Sequence, residues 1–214
     1  MNDFKATMQS YFKGLKDLTI KLIVKPVDFF RTMPKDDGYL EPLIFVVLAT
    51  LLGVLLNAVE LFVTSRAGIQ DLGMVAIWMI TLPMIAVILS FFFSGICYAA
   101  WSFMGSKENY ETSYRCVAYM QIFFPIMILL SIVPYLGLLG IAWWLYLMVT
   151  ATREVHKVPA MPAVLAFGII AALSGLIYYN SVSSTMKSKE HLEEFTKELK
   201  KMPGTSDMGN SGNR

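Results

Sequence analysis

Three polar side chains inside long apolar runs could do chemistry within a membrane: Asn57, Glu60 and Gln121. A carboxylate in hydrocarbon is costly, so an ionisable residue there is by default a candidate for binding an ion or carrying a proton. Counting ~1.5 Å per residue from Glu41, however, places Glu60 about 28 Å along a helix, near the far membrane surface. Contact with water is therefore the favoured interpretation. An ion or proton site and polar packing against Asn57, one turn earlier, are the alternatives.

A second group of polar side chains lies at the ends of the apolar runs, on the side of the membrane where the N-terminus is expected. It comprises Asp36, Asp37, Glu41, Arg115, Arg153, Glu154 and His156. Charges at the edge of a low-dielectric slab are partly desolvated unless they pair, so we expect Arg115 and Arg153 to pair with carboxylates of this group. The alternative is a docking surface for a partner protein or a lipid phosphate. We interpret His156 as an interfacial histidine rather than a metal ligand, because no second histidine is near.

Catalytic motifs are missing from the sequence. It contains no Ser-His-Asp order, no phosphate-binding glycine loop and no HExxH pair. The two cysteines, Cys97 and Cys116, have no metal-binding spacing and are expected to be small apolar residues of buried helices. We therefore expect a protein that is not an enzyme and that has no cofactor and no metal.

The elements that position these residues are long apolar helices. Of the 214 residues, 56% are hydrophobic and 16% are charged, which is little charge for a soluble domain, and a net charge of +2 gives no reason to expect nucleic acid. A membrane-crossing helix needs about 20 apolar residues. The apolar runs predict an all-α membrane protein, a bundle of five transmembrane helices with an N-terminal amphipathic helix. The spans fall at about 41–63, 72–104, 116–133, 136–152 and from the Pro159–Pro162 region to 178–179.

The ends of the chain are more polar. Residues 2–25 have lysines beside an apolar stripe, which predicts a helix that lies on an anionic membrane surface or packs on protein. A short helix is expected at 27–33, with its phenylalanines in the membrane interface and a turn at 35–38. We divide the chain into an interfacial segment (1–38), a transmembrane domain (39–180) and a polar tail (181–214) with a short helix at 183–202. The lysines before the first span predict a cytosolic N-terminus and, after five spans, a C-terminus outside.

Several short motifs occur in an order that is similar to a known family. They are the run PVDFFRTM from Pro26, the residues Gly38, Tyr39, Pro42 and Leu43 before an apolar span, the pair Tyr114-Arg115 followed by Pro125, Pro134 and Gly137, and the run REVH from Arg153. Together they cover about residues 20–180 and resemble the Yip domain family of Ypt/Rab-interacting-protein-like membrane proteins. The resemblance implies five transmembrane helices and a cytosolic N-terminus. Eukaryotic members look like trafficking adaptors that bind Rab-type GTPases and one another. The sequence lacks their long polar N-terminal region and looks more like the short bacterial members.

Two functions follow as expectations. The first is a non-enzymatic scaffold or adaptor that acts through helix packing and its cytosolic face. The alternative is a small transporter or channel that uses Asn57, Glu60 and Gln121, although these residues do not form a continuous polar row. The expected partners are membrane lipids, with proteins or further copies of the chain as candidates, and the expected location is a bacterial inner membrane.

Overall fold

The computed structural model describes residues 14, 16–64 and 69–201. Within these residues the chain forms helices and no strand. After a helical stretch at 16–24, the helices are α1 (Pro26–Thr32), α2 (Leu40–Thr64), α3 (Ile69–Phe103), α4 (Tyr110–Tyr119), a 3-10 turn (Met120–Ile122), α5 (Phe123–Ser131), α6 (Gly137–Glu154) and α7 (Ala160–Lys201).

Four helical stretches in the described part of the chain are long and apolar enough to cross a membrane. They are Leu40–Val63, Leu72–Phe103, Tyr110–Ser131 and Ala160–Glu198. In the most apolar part of the second stretch only 11% is buried inside the protein, and in that of the fourth stretch only 17% is buried. An apolar surface of that extent is stable against lipid and not against water. The chain is therefore a multi-pass integral membrane protein.

The third stretch begins earlier than the span predicted at about 116–133, because the chain is already helical from Tyr110 in α4. The side-chain oxygen of Asn109 accepts a hydrogen bond from the backbone N–H of Thr112 at 2.8 Å, which satisfies one of the four unpaired donors at a helix start. Glu111 adds a favourable negative charge in the first turn. The stretch is then interrupted by the 3-10 turn, and Pro125, which cannot donate a backbone hydrogen bond, follows in the first turn of α5.

Helix α7 also differs from expectation. The sequence predicted a span that ends near Tyr179 and a separate short helix at 183–202, whereas α7 is one helix of 42 residues. No proline or glycine lies between Gly175 and Lys201 to interrupt it. At ~1.5 Å per residue α7 is about 63 Å long, roughly twice the thickness of a bilayer core.

The short helix predicted at 27–33 forms as α1, but its aromatic side chains are not in the membrane interface. Phe29 and Phe30 are buried, and their rings meet edge to face at 5.2 Å. The Phe29 ring also contacts the Tyr119 ring edge to face at 5.3 Å. Leu22 of the preceding helical stretch is buried in the same core. Residues 16–24 therefore pack at least partly on protein, and most of the amphipathic helix predicted for 2–25 lies outside the described residues.

One helical glycine permits a close approach of a neighbouring helix, whereas others do not. A Cβ added to Gly53 of α2 would lie 2.4 Å from ring carbons of Phe124, whereas a Cβ at Gly95 or Gly168 would meet nothing within 4 Å. The contact at Gly53 brings α2 against α5. At Gly95 and Gly168, by contrast, the structure leaves space for a methyl group.

These surroundings predict opposite effects for two Gly-to-Ala substitutions. Gly53→Ala should destabilise the protein by about 1–2 kcal/mol, because a clash with a half-buried ring outweighs the better helix propensity of alanine. Gly95→Ala should be neutral or stabilising by up to about 1 kcal/mol. Thermal unfolding of both variants in detergent checks this, and equal effects would contradict the assignment of Gly53 to a tight helix contact.

Candidate functional site

The side chain of Arg115 organises the end of the bundle at which α2 begins. We call this end the near face; it is formed by residues 31–41, 105–115 and 153–157. Arg115 is fully buried, and its Nη1 donates to the Gly38 carbonyl at 2.7 Å. Its Nη2 lies 3.3 Å from Glu41 Oε2 and 3.3 Å from the Tyr119 hydroxyl. The predicted pairing of Arg115 with Glu41 is thus present, and the planar guanidinium fixes the start of α2 on α4.

Further polar contacts join the turn before α2 to the start of α4. Lys35 Nζ lies 2.5 Å from Glu108 Oε1, and Asn109 Nδ2 donates to Asp36 Oδ1 at 2.7 Å. The backbone N–H of Gly38 donates to Glu111 Oε1 at 2.6 Å, with Gly38 in the left-handed region at φ 76°. Glu108, Asn109 and Glu111 were not singled out from the sequence, although an asparagine with an acidic residue two positions later is a recognisable helix start.

The pairing predicted for Arg153 is wrong. Arg153 is exposed, and no ion pair joins it to a carboxylate in the part of the chain that the structure describes. The arginine that pairs with Glu154 is Arg31, at 3.1 Å between Nε and Oε2. The hydrogen bond to Glu154 raises the pKa of Arg31. This pair arises because α1 packs against the end of α6, a contact that no local pattern reveals. Asp37 is likewise exposed.

His156 lies in a second buried cluster of the near face. Its ring stacks on that of Trp101 with centroids 3.9 Å apart, and its Nδ1 is hydrogen-bonded to Ser106 Oγ at 2.9 Å. Trp101 in turn donates from Nε1 to Thr152 Oγ1 at 2.7 Å, so α3 is joined to the end of α6. Burial, helped by the positive charge of Lys35, lowers the pKa of His156 to about 3. The histidine is therefore a neutral packing residue at neutral pH, and it is not at the surface.

The lowered pKa predicts a loss of stability in mild acid. The unfolded chain takes up a proton at this histidine below about pH 6.5, whereas the folded one does not until about pH 3. Stability is thus complete above pH 6.5 and falls as the pH falls, by about 2 kcal/mol at pH 5. Thermal unfolding between pH 7 and pH 5 measures the slope. His156→Gln should flatten this slope, and a slope unaffected by the substitution would contradict the assignment.

Gln121 lies apart from Asn57 and Glu60, which are one helical turn apart on α2. Gln121 lines two neighbouring cavities of about 480 and 220 Å³ beside α3 and α5. Glu60 is half-buried and lines a different cavity of about 510 Å³ at the other end of the bundle. Asn57 is exposed on α2 and lines none of these. The described residues do not join them into one polar path.

No group of three or more His, Cys, Asp or Glu side chains in the described ranges is arranged to hold a metal ion. Cys97 and Cys116 are both buried and unpaired as thiols. The near face is thus a set of ion pairs and hydrogen bonds between chain segments.

Comparison with known proteins agrees with the architecture. The family model of the Yip1 domain matches residues 20–180, which include α1, Arg115 and the His156 cluster. No curated protein and no solved structure matches the chain. Since the family model covers well over half of the sequence, the chain is a membrane protein that belongs to the Yip1 domain family.

Proposed function

We propose that the protein is a non-enzymatic membrane scaffold whose near face binds a protein partner. The observation that carries the proposal is the set of contacts that ties this face together: Arg115 and the Lys35–Glu108 pair join its segments, while Asp37, Lys107 and Arg153 remain exposed on them. Exposed charges on a fixed support suit recognition of a partner, because little side-chain and loop entropy is lost on binding.

We further propose five membrane crossings, a bacterial inner-membrane location, a cytosolic near face and an outside C-terminus. Support for the fifth crossing comes from α6, which has 18 residues, about 27 Å of helix. Near its start, a Cβ at Gly140 would contact Met127 and Leu130 of α5, whereas near its end Thr152 bonds to Trp101 at the near face. Support for the orientation comes from the basic residues of the near face.

Cysteine labelling tests this topology. In intact cells an impermeant maleimide should label Lys187→Cys and should label Lys107→Cys only after permeabilisation. Both positions are exposed, and the two native cysteines are buried, so they give a low background. Labelling of both positions from the same side would contradict five crossings.

Photo-crosslinking tests the scaffold. A photoreactive amino acid at Asp37 or Arg153 should give a discrete adduct with one protein in native membranes, and the same group at Leu173, an exposed apolar position of α7, should give lipid adducts. With the photoreactive amino acid at Asp37, charge reversal by Arg153→Glu should remove the protein adduct without changing thermal unfolding. Adducts that are the same at all three positions would contradict a specific docking surface.

The transporter alternative receives no support from the separate positions of Gln121 and Glu60. Flux assays in proteoliposomes distinguish the two functions. We expect no ion or proton flux above that of empty liposomes, and a flux that Glu60→Gln abolishes would favour the transporter.

A further inference from the structure

A groove at the end of the bundle opposite the near face has walls of two different characters. It lies between the last turns of α2, the end of α5 and the second half of α7, and it has a volume of about 510 Å³. Tyr135 and Tyr179 contact each other at 5.5 Å between ring centroids at this end. Tyrosines gather at the membrane–water boundary, so the groove lies where hydrocarbon gives way to headgroups.

The floor and the inner part of the groove are apolar. Ile128, Leu129 and Ile132 come from the end of α5 and the turn after it, and Leu56 from α2. Ile132 is 61% exposed and Leu129 is 51% exposed, so this surface is accessible to a neighbouring molecule. Hydrocarbon chains are the molecules that cover such a surface at this depth.

The two walls add charges of opposite sign. The α2 wall contributes the carboxylate of Glu60, and the α7 wall contributes the ammonium of Lys189. On α7, Ser181, Thr185 and Lys189 follow one another at intervals of four and so share a face of the helix. The hydroxyls of Thr185 and Ser131 already donate to backbone carbonyls, whereas that of Ser181 has no hydrogen bond within the described residues.

We infer that this groove binds one membrane glycerophospholipid with a zwitterionic, amine-bearing headgroup. The headgroup ammonium lies against Glu60, the phosphate against Lys189 and the Ser181 hydroxyl, and the acyl chains over the apolar floor. A primary ammonium fits better than a quaternary one because it can donate hydrogen bonds to a carboxylate. This inference does not depend on the scaffold proposal, since it concerns the opposite end of the bundle.

Native mass spectrometry of the purified full-length protein tests the inference. The probes are dioleoyl phosphatidylethanolamine and dioleoyl phosphatidylglycerol, which share the chains and the phosphate but differ in the amine. We expect about fivefold tighter binding of the ethanolamine lipid. Glu60→Gln should abolish this preference and leave binding of the glycerol lipid unchanged, whereas Lys189→Gln should weaken both.

Matched controls are available on the exposed surface of α7. Glu190→Gln and Lys187→Gln remove a carboxylate and an ammonium that do not line the groove, and neither should change lipid binding. Free phosphoethanolamine, which lacks chains, should not raise the unfolding temperature at concentrations at which the lipid does. Equal binding of the two lipids, a preference that persists in Glu60→Gln, an equal effect of free phosphoethanolamine, or a protein dimer that occupies the groove in place of lipid would each overturn the inference.

Discussion

Replacing Arg115 with alanine is expected to destabilise the protein by about 3 kcal/mol, measured by thermal or denaturant unfolding in detergent. The guanidinium is fully buried; its Nη1 donates to the Gly38 carbonyl, and its Nη2 contacts both Glu41 and the Tyr119 hydroxyl. Its removal leaves a cavity and acceptors without donors. This loss of stability is at the lower end of the range for breaking a buried ion pair, because the Glu41 side chain is 34% exposed and can bind water instead.

A double-mutant cycle separates this pairing from simple packing. Arg115→Ala combined with Glu41→Gln should cost clearly less than the sum of the two single losses, because the partners act on the same interaction. Arg115→Lys should recover only part of the stability, since an ammonium cannot replace a planar fork that bonds in several directions. Arg153→Ala is the matched control at an exposed arginine and should change stability by less than about 0.5 kcal/mol. Additive single losses would refute the coupling.

Replacing Trp101 with alanine should cost still more, about 4 kcal/mol. Trp101 has no exposed surface, stacks on His156 and donates to Thr152. The substitution therefore removes the largest fully buried side chain together with the contact between α3 and the end of α6. It also exposes His156, so the loss of stability between pH 7 and pH 5 should become smaller in this variant.

Two variants define what Trp101 contributes. Trp101→Phe keeps an aromatic ring against His156 but loses the hydrogen bond to Thr152, and it should cost about 1–2 kcal/mol. Phe103→Ala removes an aromatic ring at the end of the same helix where the side chain is 94% exposed, and it should be close to neutral. Unfolding of these variants by the same method supplies the comparison, and a Phe103→Ala loss as large as that of Trp101→Ala would mean that burial does not explain the effect.

Much of the fold could be predicted because lipid imposes long apolar runs, and α2, α3 and α7 begin close to where those runs begin. The Arg115–Glu41 pair could also be predicted, because two chain segments had to return to the same depth. Features that depend on tertiary packing could not be predicted from the sequence. The burial of Phe29 and Phe30 and the Arg31–Glu154 pair require α1 to fold back onto the bundle, and amphipathic spacing is the same for a helix on protein and a helix on lipid.

The uninterrupted length of α7 has a mechanical consequence. From Tyr179 to Phe195 the helix rises by about 24 Å without interruption, so it acts as a spacer that sets how far from the bundle its end lies. Each residue inserted between these positions would move the end outward by about 1.5 Å and rotate it by about 100°. The helix therefore fixes the direction as well as the height of its end: a four-residue insertion would turn the end by about 40°, whereas a seven-residue insertion would raise it by about 10 Å and turn it by only about 20°.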